Sequence, residues 1–287
     1  MPQHFVAPPQ WEWYIVWYFF LGGIAGGAYA LGAILRLMGD ERDAPVARLA
    51  FLLTLPVLAI CPILLTLDLG RPLRFWHMLI DSRTFGLNFK YWSPMSVGAW
   101  VLIIFSLFAF VSFVEALSSL RGSRAPFLSG GLGRVFMIVG AVFGLLLAGY
   151  TGILLSVSNQ PVWSDTWALG GLFLASGLSV AAAALILVTR LGRHDESAEA
   201  KLSRADRYFT ILELALLVVF FLSLGAVGSQ FLQPRWMALW VVVLIGILVP
   251  LALQLSTERR VPAMLAAVLT LAGGLALRIV VVFGAQM

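Results

Sequence analysis

The sequence predicts an all-α, polytopic integral membrane protein: eight transmembrane helices in two four-helix bundles, with both termini extracytoplasmic. Three observations predict it. Of the 287 residues, 61% are hydrophobic and 11% charged, whereas a soluble domain is roughly 25% charged. Eight apolar segments are each long enough to cross a bilayer, which takes about 20 helical residues. Thirteen of the nineteen Lys and Arg residues fall in alternate loops, on one side of those segments. The formal net charge of +5 therefore says little about nucleic acid, because basic residues of membrane proteins mostly mark cytoplasmic loops.

The arm MPQHFVAPPQWEWY lacks a basic n-region and a cleavage site, so it reads as a retained extramembrane arm. The spans follow at about 13–37, 48–67, 93–118, 132–157, 164–190, 207–229, 236–256 and 261–284. The loops after spans one, three, five and seven carry Arg36, Arg42 and Arg48; Arg121, Arg124 and Arg134; Arg190, Arg193, Lys201, Arg204 and Arg207; and Arg259 and Arg260. By the positive-inside rule these lie in the cytoplasm. Arg71, Arg74, Arg83, Lys90, Arg235 and Arg278 fall toward the other side. Residues 1–160 and 161–287 form the two expected halves. The linker 192–206, with His194, reads as solvated and partly helical.

The richest polar stretch is 66–96, TLDLGRPLRFWHMLIDSRTFGLNFKYWSPMS. It is expected to cap the outer mouth of the bundle, above the chemistry. Asp68 at the end of span two either pairs with Arg71 and Arg74 or relays protons while the arginines face a partner or an anionic group. In span one, Trp11, Tyr14 and Tyr18 recur at i, i+3 and i+7, and Gly22 and Gly26 continue that face. The aromatics fit an interfacial belt and equally a wall for a flat ligand, with tyrosine hydroxyls as donors to a carbonyl. The pairs Gly22/Gly26 and Gly23/Gly27 permit close helix approach. Tyr150 is expected near the outer interface, and Arg278 at a similar level. Glu12 belongs to the same outer cluster and is, with Asp68, a candidate for proton transfer. Glu213, seven residues into span six and so about 10 Å deep, is a candidate for a proton path. Glu115 and Gln254 lie too near the cytoplasmic ends for that argument.

Other chemistries find no support. The three histidines, His4, His77 and His194, avoid mid-membrane depth, whereas a bis-histidine haem needs two at that depth. Cys61 is the one cysteine, too few for an iron–sulfur cluster or an internal disulfide. No phosphate-binding loop or metal-ligand spacing appears. Any redox centre served by this chain is diffusible or held by another.

The runs F-L-G-G-I-A-G-G-A-Y (20–29), L-D-L-G-R-P-L-R-F-W (67–76), S-P-M-S-x-G-A-W (93–100), Y-T-G-I-L-L-S (150–156) followed by P-V-W (161–163), and G-G-L-A-L-R-I-V-V-V (273–282) resemble the polysulfide reductase membrane-subunit, or NrfD-like, family. The resemblance implies a haem-free integral subunit of the bacterial or archaeal plasma membrane, without an iron–sulfur cluster of its own. Such a subunit exchanges electrons between an exchangeable menaquinone or ubiquinone and a ferredoxin-like iron–sulfur partner. That partner in turn contacts a catalytic subunit, of molybdopterin or another type. The resemblance puts the quinone site among the first four helices, near the surface facing the iron–sulfur partner. By its Y-T-G context Tyr150 matches the family's quinone-contacting tyrosine. Tyr18 stands where some relatives have another polar ring residue, and Asp68, Arg71 and Arg278 match their motifs. A quinone head between Tyr14, Tyr18 and Tyr150 is the leading expectation, with Asp68 exchanging its proton with the outside. A secondary transporter or channel, and a structural anchor without a quinone site, are the rivals.

Overall fold

The computed structural model describes residues 9–121, 128–191, 196–255 and 263–286. Among them eight long helices run in order: α1 (Trp13–Met38), α2 (Ala44–Asp68), α3 (Pro94–Leu120), α4 (Gly130–Ser156), α5 (Leu169–Leu191), α6 (Glu196–Leu224), α7 (Pro234–Leu255) and α8 (Ala263–Gly284). All eight spans are long and apolar enough to cross a membrane, so the chain is an all-α, multi-pass membrane protein. His4, Arg124, Arg193, His194, Arg259 and Arg260 lie outside the described residues.

Two helices begin well before their expected places, each for a local reason. Helix α2 begins at Ala44, four residues early, because the turn before it is already organised. The Asp43 carboxylate accepts the Asp40 N–H at 2.7 Å, and Pro45 stands in the first helical turn. Helix α6 begins at Glu196, not 207. The supposedly solvated linker is largely the first turns of this helix, and Leu202 and Asp206 are each 1% exposed. Leu202, Asp206, Thr210 and Glu213 repeat at helical spacing, so one stripe faces inward over the whole length. Gly225, at φ +54°, ends the α-helix, since the left-handed conformation there suits a residue without Cβ. A 3-10 stretch, Gly225–Leu232, completes the span.

Helix α1 is the hub, buried on nearly all sides and packed against α2, α4, α5 and α8. Lipid tails are as apolar as leucine, so these contacts come from close packing of small residues. A Cβ on Gly26 would collide with the Gly144 carbonyl of α4; one on Gly27 would meet Ala181 Cβ of α5 at 2.6 Å. The two glycine pairs of the sequence thus serve two different neighbours. Because α5 packs along both α1 and α4, the halves 1–160 and 161–287 meet along a long seam.

The loop 69–93 and the ends of α1, α4, α5 and α8 gather at one end of the bundle. At the opposite, basic end, Arg36 donates two hydrogen bonds of 2.7 Å to Glu115, whose Oε1 also accepts the Leu128 N–H at 3.2 Å. Depth along the helix gave Glu115 no special place, yet it is fully buried. The pairing with α1 explains how an anion is held there.

Candidate functional site

At the loop-covered end, α1 to α4 enclose a cavity of about 290 Å³. Its walls come from the N-terminal arm and α1 (Trp11, Ile15, Tyr18, Phe19), α2 (Pro62, Leu65, Thr66, Asp68), α3 (Met95, Gly98, Ala99, Leu102, Ile103) and α4 (Tyr150, Leu154). Phe75, Met78 and Leu79 roof it. Those three sit on or beside a 3-10 turn, Pro72–Met78, that begins at a proline. The roof is pinned by its own polar groups. Asn88 Nδ2 donates to the His77 carbonyl at 2.9 Å, and Trp100 Nε1 to the Asn88 carbonyl at 3.2 Å. Asp81 caps the tight turn by accepting from Arg83 N–H and Thr84 Oγ1.

Three polar side chains reach into this apolar space. Tyr18 is 2% exposed and lines the cavity together with Tyr150. Tyr150 donates to the Pro94 carbonyl at 2.6 Å, and its ring lies against Gly98, where a Cβ would strike the ring. The Tyr150 hydroxyl therefore offers the cavity lone pairs, not a proton. Asp68 stands half-buried at the rim, next to the Glu12 backbone. Among the described residues no ion pair joins Asp68 to Arg71 or Arg74. Both arginines are exposed, so the simple pairing reading of that motif is not realised.

Of the residues singled out in the sequence, Trp11, Tyr18, Asp68 and Tyr150 meet around one cavity. Tyr14 does not join them; it is 36% exposed beyond the rim. Tyr14 stands in the first turn of α1, one turn nearer the helix end than Tyr18. Glu12 is exposed at the rim. Glu213 and Arg278 lie elsewhere. Glu213 lies seventeen residues along α6, not seven, because α6 starts early. Arg278, expected near the outer interface, is fully buried inside the bundle and donates to Phe19 O, Ser176 Oγ and Gly274 O.

Sequence reasoning passed over Trp163. It is fully buried, donates to the Val281 carbonyl at 2.8 Å, and stacks on Trp11 at 5.1 Å between centroids. Trp11 N–H also donates to Gln286 Oε1 at 2.8 Å. One wall of the cavity is thereby tied to the α4–α5 loop and the end of α8. The signal was the buried-tryptophan tripeptide P-V-W, visible as a motif but with no local hint of its contact. Gly98 was likewise visible only as part of S-P-M-S-x-G.

A cavity with apolar, aromatic walls, a phenol donor, a phenol acceptor and a carboxyl at its mouth suits a flat, lipid-soluble molecule with polar oxygens. Among the described residues no group of three or more His, Cys, Asp or Glu side chains could hold a metal.

Known proteins place the whole sequence. Residues 2–287 match the family described as "Polysulphide reductase, NrfD". The sequence is 26% identical to the polysulfide reductase C subunit of Wolinella succinogenes, over 96% of its own length and 94% of the relative's. It is 27% identical to protein NrfD of Escherichia coli, over 96% and 95%, and 27% identical to the NrfD homolog of Haemophilus influenzae, over 96% and 94%. The protein therefore belongs to the polysulphide reductase NrfD family, as one of its multi-pass membrane members.

Proposed function

We propose that this protein is the quinone-reactive integral subunit of a multisubunit oxidoreductase in a bacterial or archaeal plasma membrane, passing electrons between quinone and an iron–sulfur partner. The observation that carries this reading is the cavity of about 290 Å³ joining Trp11, Tyr18, Asp68 and Tyr150, residues up to 139 positions apart in the sequence. A bound quinone would supply the two-electron, two-proton redox couple. Trp11 and Phe19 give the flat ring its wall. Tyr18, whose hydroxyl is not committed to the backbone, donates to a carbonyl oxygen. Tyr150 holds its own proton on Pro94 O and accepts from a hydroxyl, so the hydrogen bond expected of Tyr150 divides into two roles. Asp68 at the rim exchanges protons with the outer side, and Glu12 stands beside it in the same mouth.

The distribution of basic residues supports an orientation with the loop-covered end outside. The exposed Arg71, Arg74, Arg83 and Lys90, with the exposed Leu73, Phe85, Leu87, Tyr91 and Trp92, give the iron–sulfur partner a basic, aromatic landing surface directly over the cavity. The partner is expected to present carboxylates there. A transporter reading would need helices broken at mid-membrane, and the eight spans are continuous through their middles.

The test is binding and turnover of a short-tailed naphthoquinone in the purified complex. Tyr150→Phe removes both the acceptor and the anchor to Pro94, and turnover is expected to fall about 10- to 100-fold, the usual scale for a lost acid–base or orienting group. Tyr18→Phe is expected to weaken binding of the oxidised quinone more than of the quinol. A wild-type protein that binds no quinone analogue, or unchanged turnover in both variants, overturns the reading.

A further inference from the structure

The roof of the cavity belongs to the least regular stretch of the chain. After the 3-10 turn Pro72–Met78, no helix forms until α3 begins at Pro94. Among residues 82–92 every one is exposed except Asn88. A polar side chain drawn in from solvent gives up water, so its place has to be held by hydrogen bonds. Asn88 makes them on both sides. Its backbone N–H donates to the Leu79 carbonyl at 2.7 Å, and Nδ2 to the His77 carbonyl at 2.9 Å. Those carbonyls flank Met78, and Met78 and Leu79 both line the cavity. In the other direction, the Asn88 carbonyl accepts from Trp100 Nε1 at 3.2 Å and from Ser96 Oγ at 3.5 Å.

The other polar contacts of this loop do not reach the bundle. Asp81 and Thr84 close the tip on itself, as does the bridge between Ile80 and Leu87. Among the described residues no hydrogen bond joins 72–87 directly to any of α1 to α8. The hydrogen-bonded route from roof to helix therefore runs through Asn88, and it ends on the first two turns of α3. The same two turns carry Pro94 O, which anchors the Tyr150 hydroxyl, and Gly98, against which the Tyr150 ring lies. Roof and Tyr150 thus take their positions from one short piece of helix, and Asn88 sets the distance between them.

We infer that Asn88 is a positioning residue for the quinone, holding Met78 and Leu79 at a fixed height over Tyr150 so that the flat ring is clamped between them. The inference rests on the quinone reading of the cavity. Asn88 is not among the residues that line the space, and it handles no proton or electron. It acts through the roof alone. With the roof released, the ring is held less tightly and leaves faster, while Tyr18, Tyr150 and Asp68 keep their places. The loss falls on affinity and not on the rate at saturation, which is the signature of uniform binding removed.

The experiment compares three variants of the full-length protein. Asn88→Ala removes the bond to His77 O. Trp100→Phe keeps a ring but loses the donor to Asn88 O, and serves if Asn88→Ala does not fold. Thr84→Ala loosens only the loop tip. Without quinone, hydrogen exchange at the Leu79 and Ile80 amides, both bonded to Trp76 O, is expected to quicken about tenfold in Asn88→Ala and to stay within about twofold in Thr84→Ala. With a short-tailed naphthoquinone, Kd is expected to rise about tenfold in Asn88→Ala and several-fold in Trp100→Phe. The double variant is expected to be little weaker than Asn88→Ala, because both act through one roof position. In the purified complex KM follows Kd, and kcat stays within about twofold. Unchanged exchange in Asn88→Ala overturns the role, as does faster exchange with unchanged Kd, a kcat that falls in step with affinity, or an equal loss in Thr84→Ala. A wild-type protein that binds no naphthoquinone sinks the quinone reading and the positioning role with it, while the exchange rates still decide whether Asn88 holds the roof.

Discussion

The two sides of α1 use the same kinds of residue in opposite ways. On the α2–α4 side, Tyr18, Tyr150 and Asp68 are spaced around an open cavity whose walls are otherwise apolar. On the α5–α8 side, Asp206 and Arg278 are packed against serines and backbone carbonyls, and Glu213 is buried among them. The difference lies in what satisfies each polar group. In the cavity, hydrogen-bonding capacity is left over for a visitor; in the stripe, nearly all of it is consumed internally, apart from Gln254 Oε1, Thr270 Oγ1 and Arg278 Nη2. A site for exchange and an internally bonded network can thus be told apart by counting unused donors and acceptors, without knowing the ligand.

That contrast breaks if removing a stripe residue is structurally silent. Arg278→Ala deletes a fully buried side chain and its hydrogen bonds to Phe19 O and Ser176 Oγ. Its expected cost is about 3–5 kcal/mol, the range for truncating a large core residue, read as a drop in detergent-solubilised melting temperature. Asp68→Asn, at the rim, is expected to leave melting unchanged and alter turnover only. Equal loss of stability in both variants would show that the two sides do not differ as described.

A smaller and more selective effect is expected at Gly98. A methyl there strikes the Tyr150 ring, and the ring is held by its bond to Pro94 O, one turn earlier in the same helix. Gly98→Ala is expected to weaken naphthoquinone binding about tenfold, or roughly 1.4 kcal/mol, while α3 keeps its fold because alanine favours helix. Trp163→Phe comes next. It loses the hydrogen bond to Val281 O and part of the stack on Trp11, for about 1–2 kcal/mol of stability and a few-fold loss of affinity as Trp11 loosens. Intrinsic fluorescence quenching by the bound quinone reads both.

These residues also mark how far the sequence could be read. Eight spans, the glycine faces of α1 and the capping role of 66–96 follow from length, composition and spacing, because lipid forces every backbone polar group into helices. Four residues that line the cavity were legible for a similar reason: polar and interfacial groups are rare enough in such a protein that each stands out. What was not legible depends on rotation and contact. Nothing local says that Tyr14 turns outward while Tyr18 turns in, or that Trp163 lies on Trp11 across 152 positions. Asp206 was hidden by its charged neighbours, which made 192–206 look like a solvated linker. The spacing Asp206–Thr210–Glu213 was the available sign that the helix, and its buried face, had already begun.

The least costly prediction concerns the basic end, where Lys201 ties α6 to the α1–α2 turn through Asp40 at 2.9 Å and Asp43 at 2.7 Å. Asp43 is fully buried and Asp40 largely exposed. The hydrogen bond from Lys201 lowers the Asp40 carboxyl below its ordinary value. A carboxyl lowered by folding adds stability above its unfolded pKa and loses it as pH falls through the lowered value. The tether is therefore intact at neutral pH and opens only below about pH 4. Because the Asp40 side of it is solvent-exposed, its share is small. Lys201→Met is expected to lower the melting temperature by no more than about 3 °C at pH 7, and the difference from wild type is expected to shrink in acid. A larger loss, or one that grows on acidification, would mean that the buried Asp43 carries more of the tether than the exposed Asp40 does.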